Sequence, residues 1–463
     1  MEPIRFGTDG WRAKIADTYT HANVRRAAAA LGGVLKSKKD SCLVLVGYDP
    51  RFGSEHFAET AAQILVSQGH QVIVATRMLP TPALSLALGQ YNADAGVMIT
   101  ASHNSGEYNG FKIKLPPGVS APNEFTKEVE SRLFNVVEAP PPVDITRSDF
   151  LSHYLTTLGK RVNLPDLKKA GFNIVADAMH GAASNHLEKL LAGGKTKVVT
   201  IAANRDAWFG GRHPEPIDKY LAPLKKAVKD HKAQAGFATD GDADRVGLVD
   251  EKGHFVDVHK LHALLLYHLW KNKGERGAVV KTVSGTLMID RMAEAWKIPV
   301  KVTPIGFKYI GNVMMREDVL LGVEESGGIA FKGHLPERDG LLSALLILEA
   351  LAGMGKSVTK AVARLQKEFG PYYSDRTDLE NVPSDLQAKV LEGLKTSPPE
   401  NAAGLKVTGV DSMDGVKLKL ENGWLLVRPS GTEPLLRLYA EADDPKKVKE
   451  LLKYAETLVD QHR

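Results

Sequence analysis

The sequence predicts an α/β protein with three mixed-sheet α/β domains around a central cleft and a small C-terminal α+β domain. Three observations carry this. Apolar strand-like runs alternate with helical patterns as far as Phe369, the signature of an α/β layer fold. Three of those runs are followed at once by a polar loop: Thr100 to Asn104, Asp240 to Arg245, and Glu324 to Gly328. After Leu405 the pattern changes to short alternating strands joined by hairpin signals.

The chain has 463 residues, too many for one ordinary core, so several domains are expected. Hydrophobic residues make up 43% and charged residues 25%, ordinary for a globular protein. The net charge of +5 suits small anionic substrates. No basic stripe interleaved with aromatics is present, so no nucleic-acid partner is expected. The single cysteine, Cys42, excludes an intramolecular disulfide. Arg5, Asp9 and Arg12 stand where a signal peptide would be apolar. The most apolar helix candidate, Leu341 to Gly355, contains Glu349 and falls short of the ~20 residues that span a bilayer. A cytoplasmic protein without a membrane partner is the expectation.

Element by element, a Gly-rich loop, Phe6 to Arg12, precedes an alanine-rich helix, His21 to Leu35. Leu43 to Tyr48 is a strand. Ser54 caps a helix through Val66, ended by Gly69. Val72 to Ala75 is a strand, and Thr81-Pro82 reads as N-cap and first residue of the next helix. Ala95 to Ile99 and Phe111 to Leu115 add strands. Pro140 to Pro142 mark a connection, and a second unit starts near Asp149. It holds the strands Phe172 to Ala176, Val198 to Ile201 and Ala235 to Thr239, with helices from Asn185 to Leu191 and from Leu221 to His231. A third unit starts near Lys260, with a helix through Leu269, the strands Ala278 to Lys281, Val300 to Thr303 and Val319 to Val323, and a helix after Thr286. Helices from Ser343 to Leu351 and from Lys360 to Phe369 follow. Strands from Leu405, Val416, Trp424 and Leu436 turn at Asp414-Gly415 and Asn422-Gly423, and a helix from Lys446 to Leu458 closes the chain. The expected domains are 1–147, 148–255, 256–368 and 369–463.

Four motifs carry chemistry. Ser102 stands on a loop at the carboxyl end of a strand, where open α/β sheets place ligands; its hydroxyl suits a nucleophile or a phosphoryl carrier. Asp240, Asp242 and Asp244 alternate on a Gly-containing loop. Carboxylates so close repel unless a cation offsets them, and oxygen ligands suit Mg2+. Arg428, Ser430, Gly431 and Thr432 offer an arginine fork, hydroxyls and free amides to a phosphate. Glu324 and Ser326 are partners for sugar hydroxyls. Lys112 is a candidate acid/base or phosphate contact. Phosphoryl transfer needs chiefly alignment and charge neutralisation, and two phosphate sites in one cleft favour a mutase over a phosphatase.

In these four motifs, in their order and across essentially its whole length, the chain resembles the α-D-phosphohexomutase superfamily of phosphoglucomutases, phosphomannomutases and phosphoglucosamine mutases. The resemblance implies three α/β domains and a C-terminal TATA-binding-protein-like domain. It implies that Ser102 is the phosphorylated serine and binds Mg2+ together with Asp240, Asp242 and Asp244. It implies that Arg12, His103, Lys112, Arg245 and Lys281 line the reacting centre. Glu324 and Ser326 would hold the sugar, and Arg428, Ser430, Gly431 and Thr432 the non-reacting phosphate. Two positions depart from the pattern. Ser105 replaces a frequent proline. Gly328 stands where phosphomannomutases of dual specificity and phosphoglucosamine mutases usually have histidine. Glu324-Glu325-Ser326 is similar instead to the sugar loop of phosphoglucomutases. The expectation is interconversion of glucose 1-phosphate and glucose 6-phosphate through glucose 1,6-bisphosphate, by a monomer or homodimer. A phosphomannomutase, a dual-specificity enzyme, a phosphoglucosamine mutase, a phosphatase or a silent sugar-phosphate sensor are the alternatives.

Overall fold

The computed structural model describes residues 4–134, 136–429 and 435–461. Four sheets follow one another along the chain. The first orders its strands Trp11–Lys14, Tyr108–Leu115, Ala95–Ile99, Leu43–Tyr48, Gln71–Ala75 and Thr146–Ser148, with Val119–Ser120 beside Tyr108–Leu115. The four strands from Ala95–Ile99 to Thr146–Ser148 are parallel; Tyr108–Leu115 runs against its neighbours. The second sheet runs Phe255–Val256, Val246–Asp250, Ala235–Thr239, Asn173–Asp177, Lys197–Ile201, and the third Val300–Thr303, Ala278–Thr282, Val319–Val323, Ile329–Phe331. Each joins a parallel body to an antiparallel flank. The fourth is wholly antiparallel: Tyr373–Leu379, Leu436–Ala442, Gly423–Pro429, Val416–Leu420, Leu405–Asp411, Asn401–Ala402. Thr146–Ser148 spans the expected junction at 147/148 and belongs to the first sheet.

The parallel strands are near-continuous apolar runs because helices cover both faces. Val44, Leu45, Val46, Val97 and Leu321 are among those fully buried. One apolar core runs through the first three units. The C-terminal unit has its own, built from residues such as Leu418, Leu438, Val390 and Leu451. Among the described residues, no single helix is long and apolar enough to cross a membrane. Gly340–Gly353 and Val358–Phe369 qualify only as a pair, bent by 78°, and the first of them is core, with Leu342, Leu345 and Leu346 fully buried.

Two expected helix caps are corrected. Gly53, not Ser54, holds the cap position of Ser54–Ser67, and the Ser54 hydroxyl donates to Asp49 Oδ1 at 3.0 Å. Pro80 precedes the helix Thr81–Tyr91, and Thr81 Oγ1 donates to Asp242 Oδ2 at 2.5 Å. In both cases a buried carboxylate has taken the hydroxyl, a stronger attraction than a helix amide. Elements beyond the expected set include Phe150–Arg161, capped by Asp149, the polar edge strand Tyr373–Leu379, and the helix Ser384–Thr396.

Candidate active site

Each of the three polar loops joins a parallel strand to its antiparallel neighbour. The first lies between Ala95–Ile99 and Tyr108–Leu115. The second lies between Ala235–Thr239 and Val246–Asp250, and the third between Val319–Val323 and Ile329–Phe331. The same edge of all three sheets therefore supplies chemistry, and the loops meet.

Ser102 is fully buried, with φ of +54°. A serine held in the left-handed region costs of order 1–3 kcal/mol unless the surroundings fix it. Here they do. Ser102 N donates to Thr100 Oγ1 at 2.9 Å, and Thr100 Oγ1 donates to Asp49 Oδ2 at 2.6 Å. Arg51, paired with Asp49 at 3.0 Å, donates to the carbonyls of Ser102, Asn104, Ser105 and Tyr108 at 2.6, 2.7, 2.7 and 3.0 Å. Gly241 lets the aspartate loop close over the serine, since a Cβ there would lie 2.4 Å from the Ser102 carbonyl.

The Ser102 hydroxyl donates to Asp240 Oδ2 at 2.8 Å. Asp240 Oδ1 accepts from the amides of Asp244 and Arg245 at 3.0 and 3.1 Å. One oxygen from each of Asp240, Asp242 and Asp244 lies within 4.8 Å of the others. Asp242 Oδ2 is held by Thr81 and by Lys112 Nζ at 2.7 Å. Asp244 Oδ2 is held by Arg338 Nη2 at 2.8 Å and Lys112 Nζ at 3.3 Å. Asp242 Oδ1 and Asp244 Oδ1 are buried and accept no hydrogen bond among the described residues, the nearest cation to Asp244 Oδ1 being Arg245 Nε at 3.9 Å. Anchoring one oxygen and freeing the other is how outer groups orient metal carboxylates, so these residues fit a hard divalent cation.

The charges here are strongly perturbed. Burial, then Asp244 and Asp242, pushes the Asp240 carboxyl well above the usual range. Burial acts the same way on Asp242, but the Lys112 charge and the hydrogen bonds from Lys112 and Thr81 together outweigh it and hold that carboxyl low. Burial disfavours the Lys112 charge, yet Asp242, Asp9 and Asp244 keep it protonated. Burial, followed by the positive charge of Arg245 and Arg12, pushes His103 well below its ordinary value. Arg12 Nη1 donates to Asn104 Oδ1 at 2.9 Å, and Arg245 Nε lies 3.8 Å from Asp240 and 3.9 Å from Asp244.

The Glu324 loop is stitched to the aspartate loop. Arg245 and Gly328 form an antiparallel bridge, and Val246 N donates to the Gly327 carbonyl at 3.1 Å. Ser326 Oγ donates to Glu324 Oε1. Glu324 Oε2 is buried without a partner among the described residues. Arg428 Nε donates to Asp414 Oδ2 at 2.9 Å. It stands directly across the sheet from Arg437, whose buried Nε has no acceptor among the described residues. Ser430, Gly431 and Thr432 lie outside the described residues.

Lys281 is not brought to the cluster. It stands in register with Val323, but its ammonium donates to the Thr286 carbonyl at 2.8 Å and pairs with Asp290. Asp9, Asp49, Arg51, Thr81, Arg338 and Arg437 were missed as site residues. Asp49 and Arg51 follow the apolar strand Leu43–Tyr48, the same signal that marks the other loops. Asp9 was visible in the Gly-rich opening loop. Thr81 was legible only as a helix start, and Arg338 had no local signal beyond a charged run before an apolar helix.

A loop-borne serine, a buried aspartate triad and two arginines facing each other across neighbouring strands, on this four-unit fold, define a phosphohexomutase. The chain belongs to the phosphoglucomutase/phosphomannomutase family: the family's α/β/α domains I, II and III match residues 3–139, 152–253 and 257–369, and its C-terminal domain matches 384–457. Members are intramolecular phosphotransferases. A phosphoglucomutase/phosphomannomutase of Thermococcus kodakarensis is 32% identical over 98% of both chains. A phosphoglucosamine/phosphogalactosamine mutase of Sulfurisphaera tokodaii is also 32% identical, over 98% of this chain and 99% of its own. A crystal structure from Thermus thermophilus, described as a phosphomannomutase, superposes with a TM-score of 0.89 at 34% identity, covering 99% of each chain.

Proposed function

We propose that the protein is a phosphoglucomutase that interconverts glucose 1-phosphate and glucose 6-phosphate through a phosphoserine at Ser102. The observation that carries the reading is the bond from Ser102 Oγ to Asp240, made inside a triad whose other two members each keep a buried oxygen that accepts no hydrogen bond among the described residues. Ser102, Asp240, Asp242 and Asp244 would hold Mg2+, which when bound neutralises charge on the phosphoryl oxygens. The bond from phosphorus to Ser102 Oγ breaks as the bond to a sugar hydroxyl oxygen forms. The hydroxyl's proton ends on Ser102 Oγ, and Lys112, held protonated by Asp242, Asp9 and Asp244, offsets charge at the reacting end rather than taking up that proton. The glucose 1,6-bisphosphate so formed turns end over end and returns its other phosphoryl group. Arg12, His103 and Arg245 line the reacting end. Arg428 and Arg437, directly opposite each other in the sheet, offer arginine donors to a phosphate cradle on the C-terminal unit.

Glu324 and Ser326 are the sugar contacts in this reading, and the unpartnered Glu324 Oε2 is an acceptor for a hydroxyl. The pair Glu324-Glu325 and the glycine at 328 favour glucose. A dual-specificity phosphoglucomutase/phosphomannomutase is the second reading, favoured by the name of the Thermococcus relative.

The test is turnover with Mg2+ and a trace of glucose 1,6-bisphosphate on glucose 1-phosphate, mannose 1-phosphate and glucosamine 1-phosphate. A kcat/KM preference for glucose above about tenfold, or ~1.4 kcal/mol, supports the reading. Equal rates on mannose support the second one. Ser102→Ala should lose nearly all turnover while still binding glucose 6-phosphate in a calorimeter; retained turnover would reject the phosphoryl carrier. Chelation with EDTA should abolish turnover, and added Mg2+ should restore it.

A further inference from the structure

We propose that Arg338 is a positioning residue that ties the sugar-binding loop to the aspartate loop, and that position 328 is glycine to make room for it. This deepens the functional reading above and rests on it for the roles of Glu324 and Asp244.

Arg338 is only 3% exposed, and its guanidinium meets four carboxylates drawn from all three α/β units. Nη2 lies 2.6 Å from Asp9 Oδ2 and 2.8 Å from Asp244 Oδ2. Nη1 lies 3.9 Å from Glu324 Oε1. Nε faces Glu337 Oε1 at 3.4 Å. A planar fork of five donors can serve such a set where a lysine cannot.

The mount is rigid. Arg338 precedes Asp339, which caps the buried helix Gly340–Gly353. That helix begins against the aspartate loop, where Gly340 N donates to the Ala243 carbonyl at 3.1 Å. A Cβ at Gly340 would lie 2.4 Å from the Arg245 carbonyl.

Gly328 supplies the second, independent observation. Its φ lies outside the left-handed region, so backbone freedom does not explain the glycine. Space does. A Cβ at 328 would stand 2.3 Å from Arg338 Cδ and 2.8 Å from Cγ. The arginine stem fills the volume that a side chain on the sugar loop would need. Arginine at 338 and glycine at 328 thus form one unit.

The experiment compares Arg338→Met, Arg338→Lys, Arg338→Ala, Gly328→Ala and the Gly328→Ala/Arg338→Ala double variant with the wild type. The readouts are glucose 6-phosphate binding by calorimetry and amide exchange of residues 240–246 and 324–328. Arg338→Met and Gly328→Ala should each weaken binding by roughly tenfold and speed exchange in both loops. Arg338→Lys should recover part of both. Gly328→Ala leaves every charge in place, so it serves even if Arg338→Met fails to fold. In the Arg338→Ala background, Gly328→Ala should add less than about twofold, because the space is already open. Binding and exchange unchanged in folded Arg338→Met would overturn the link. Additive losses in the double variant would overturn the pairing with Gly328. A wild type that binds no hexose phosphate, with both loops still loosened in Arg338→Met, rejects the functional reading and keeps the link.

Discussion

Arg51 touches no expected ligand, yet the Ser102 loop hangs from it. Its guanidinium meets the Asp49 carboxylate and four loop carbonyls, with Arg51 and Asp49 themselves fully buried. Removing one partner of a buried pair leaves the other charged and unpaired, at a cost of about 3–5 kcal/mol. Arg51→Met should therefore lower the melting temperature sharply and abolish turnover. Arg51→Lys, with one compact head, cannot reach all four carbonyls and should recover little of either. A melting temperature equal to the wild type's would show that the loop holds itself. At this scale the sequence is legible wherever function follows an apolar run, as at Ser102, Asp240 and Glu324. It is not legible where partners are remote: Arg338 and Asp9 lie 329 residues apart, and no local pattern joins them. Thr81 misleads for the same reason, since a hydroxyl suited to a cap is claimed by a carboxylate from another unit.

Among the elements, the helix Gly340–Gly353 shows how one charge can sit in an apolar stretch. Glu349 accepts from Asn163 N, His268 Nε2 and Lys273 Nζ at 2.7, 2.9 and 3.0 Å. Although burial opposes it, these donors lower its carboxyl from 4.5 to about 2. The folded value is depressed, so the stabilisation is fully present above pH 4.5 and is lost as pH falls from there to about 2. Glu349→Gln should destabilise by roughly 1–2 kcal/mol at pH 7, a figure reduced for solvent screening. Urea titrations at pH 7 and pH 2.5 check this: the gap between variant and wild type should narrow at the lower pH, and a constant gap would contradict it. The apolar period of this helix is plain in the sequence. The edge strand Tyr373–Leu379 is not, because its faces are mixed in burial and it carries five polar residues in a row, Ser374 to Asp378. Its place is set by pairing with Leu436–Ala442 rather than by its own pattern.

For the molecule as a whole, the fully buried Ser102 poses a problem, because a sugar must reach it. The first three units share one continuous core, which resists relative motion. The C-terminal unit has a core of its own and docks through a small contact: Val283, Trp424, Leu426 and Tyr439, flanked by Leu287 and Ile305. A few polar bonds accompany it. Glu441 accepts from Leu287 N at 2.7 Å and from Trp424 Nε1 at 3.1 Å. Lys417 Nζ donates to the Val283 carbonyl at 2.6 Å, and Ile305 N donates to Asp414 Oδ2 at 2.9 Å. A small contact between units with separate cores is where domain motion is expected. The unit that carries Arg428 and Arg437 is thus the one free to swing. Truncating a buried tryptophan costs about 3–5 kcal/mol, here shared between the unit's own fold and its docking. Trp424→Ala should therefore raise KM for glucose 1-phosphate by more than it lowers kcat. The radius of gyration from small-angle scattering should rise, and saturating glucose 6-phosphate should bring it back down. If the variant stays as compact as the wild type and its losses fall on kcat alone, this contact is not the hinge, and the opening that admits the sugar lies between the first three units instead.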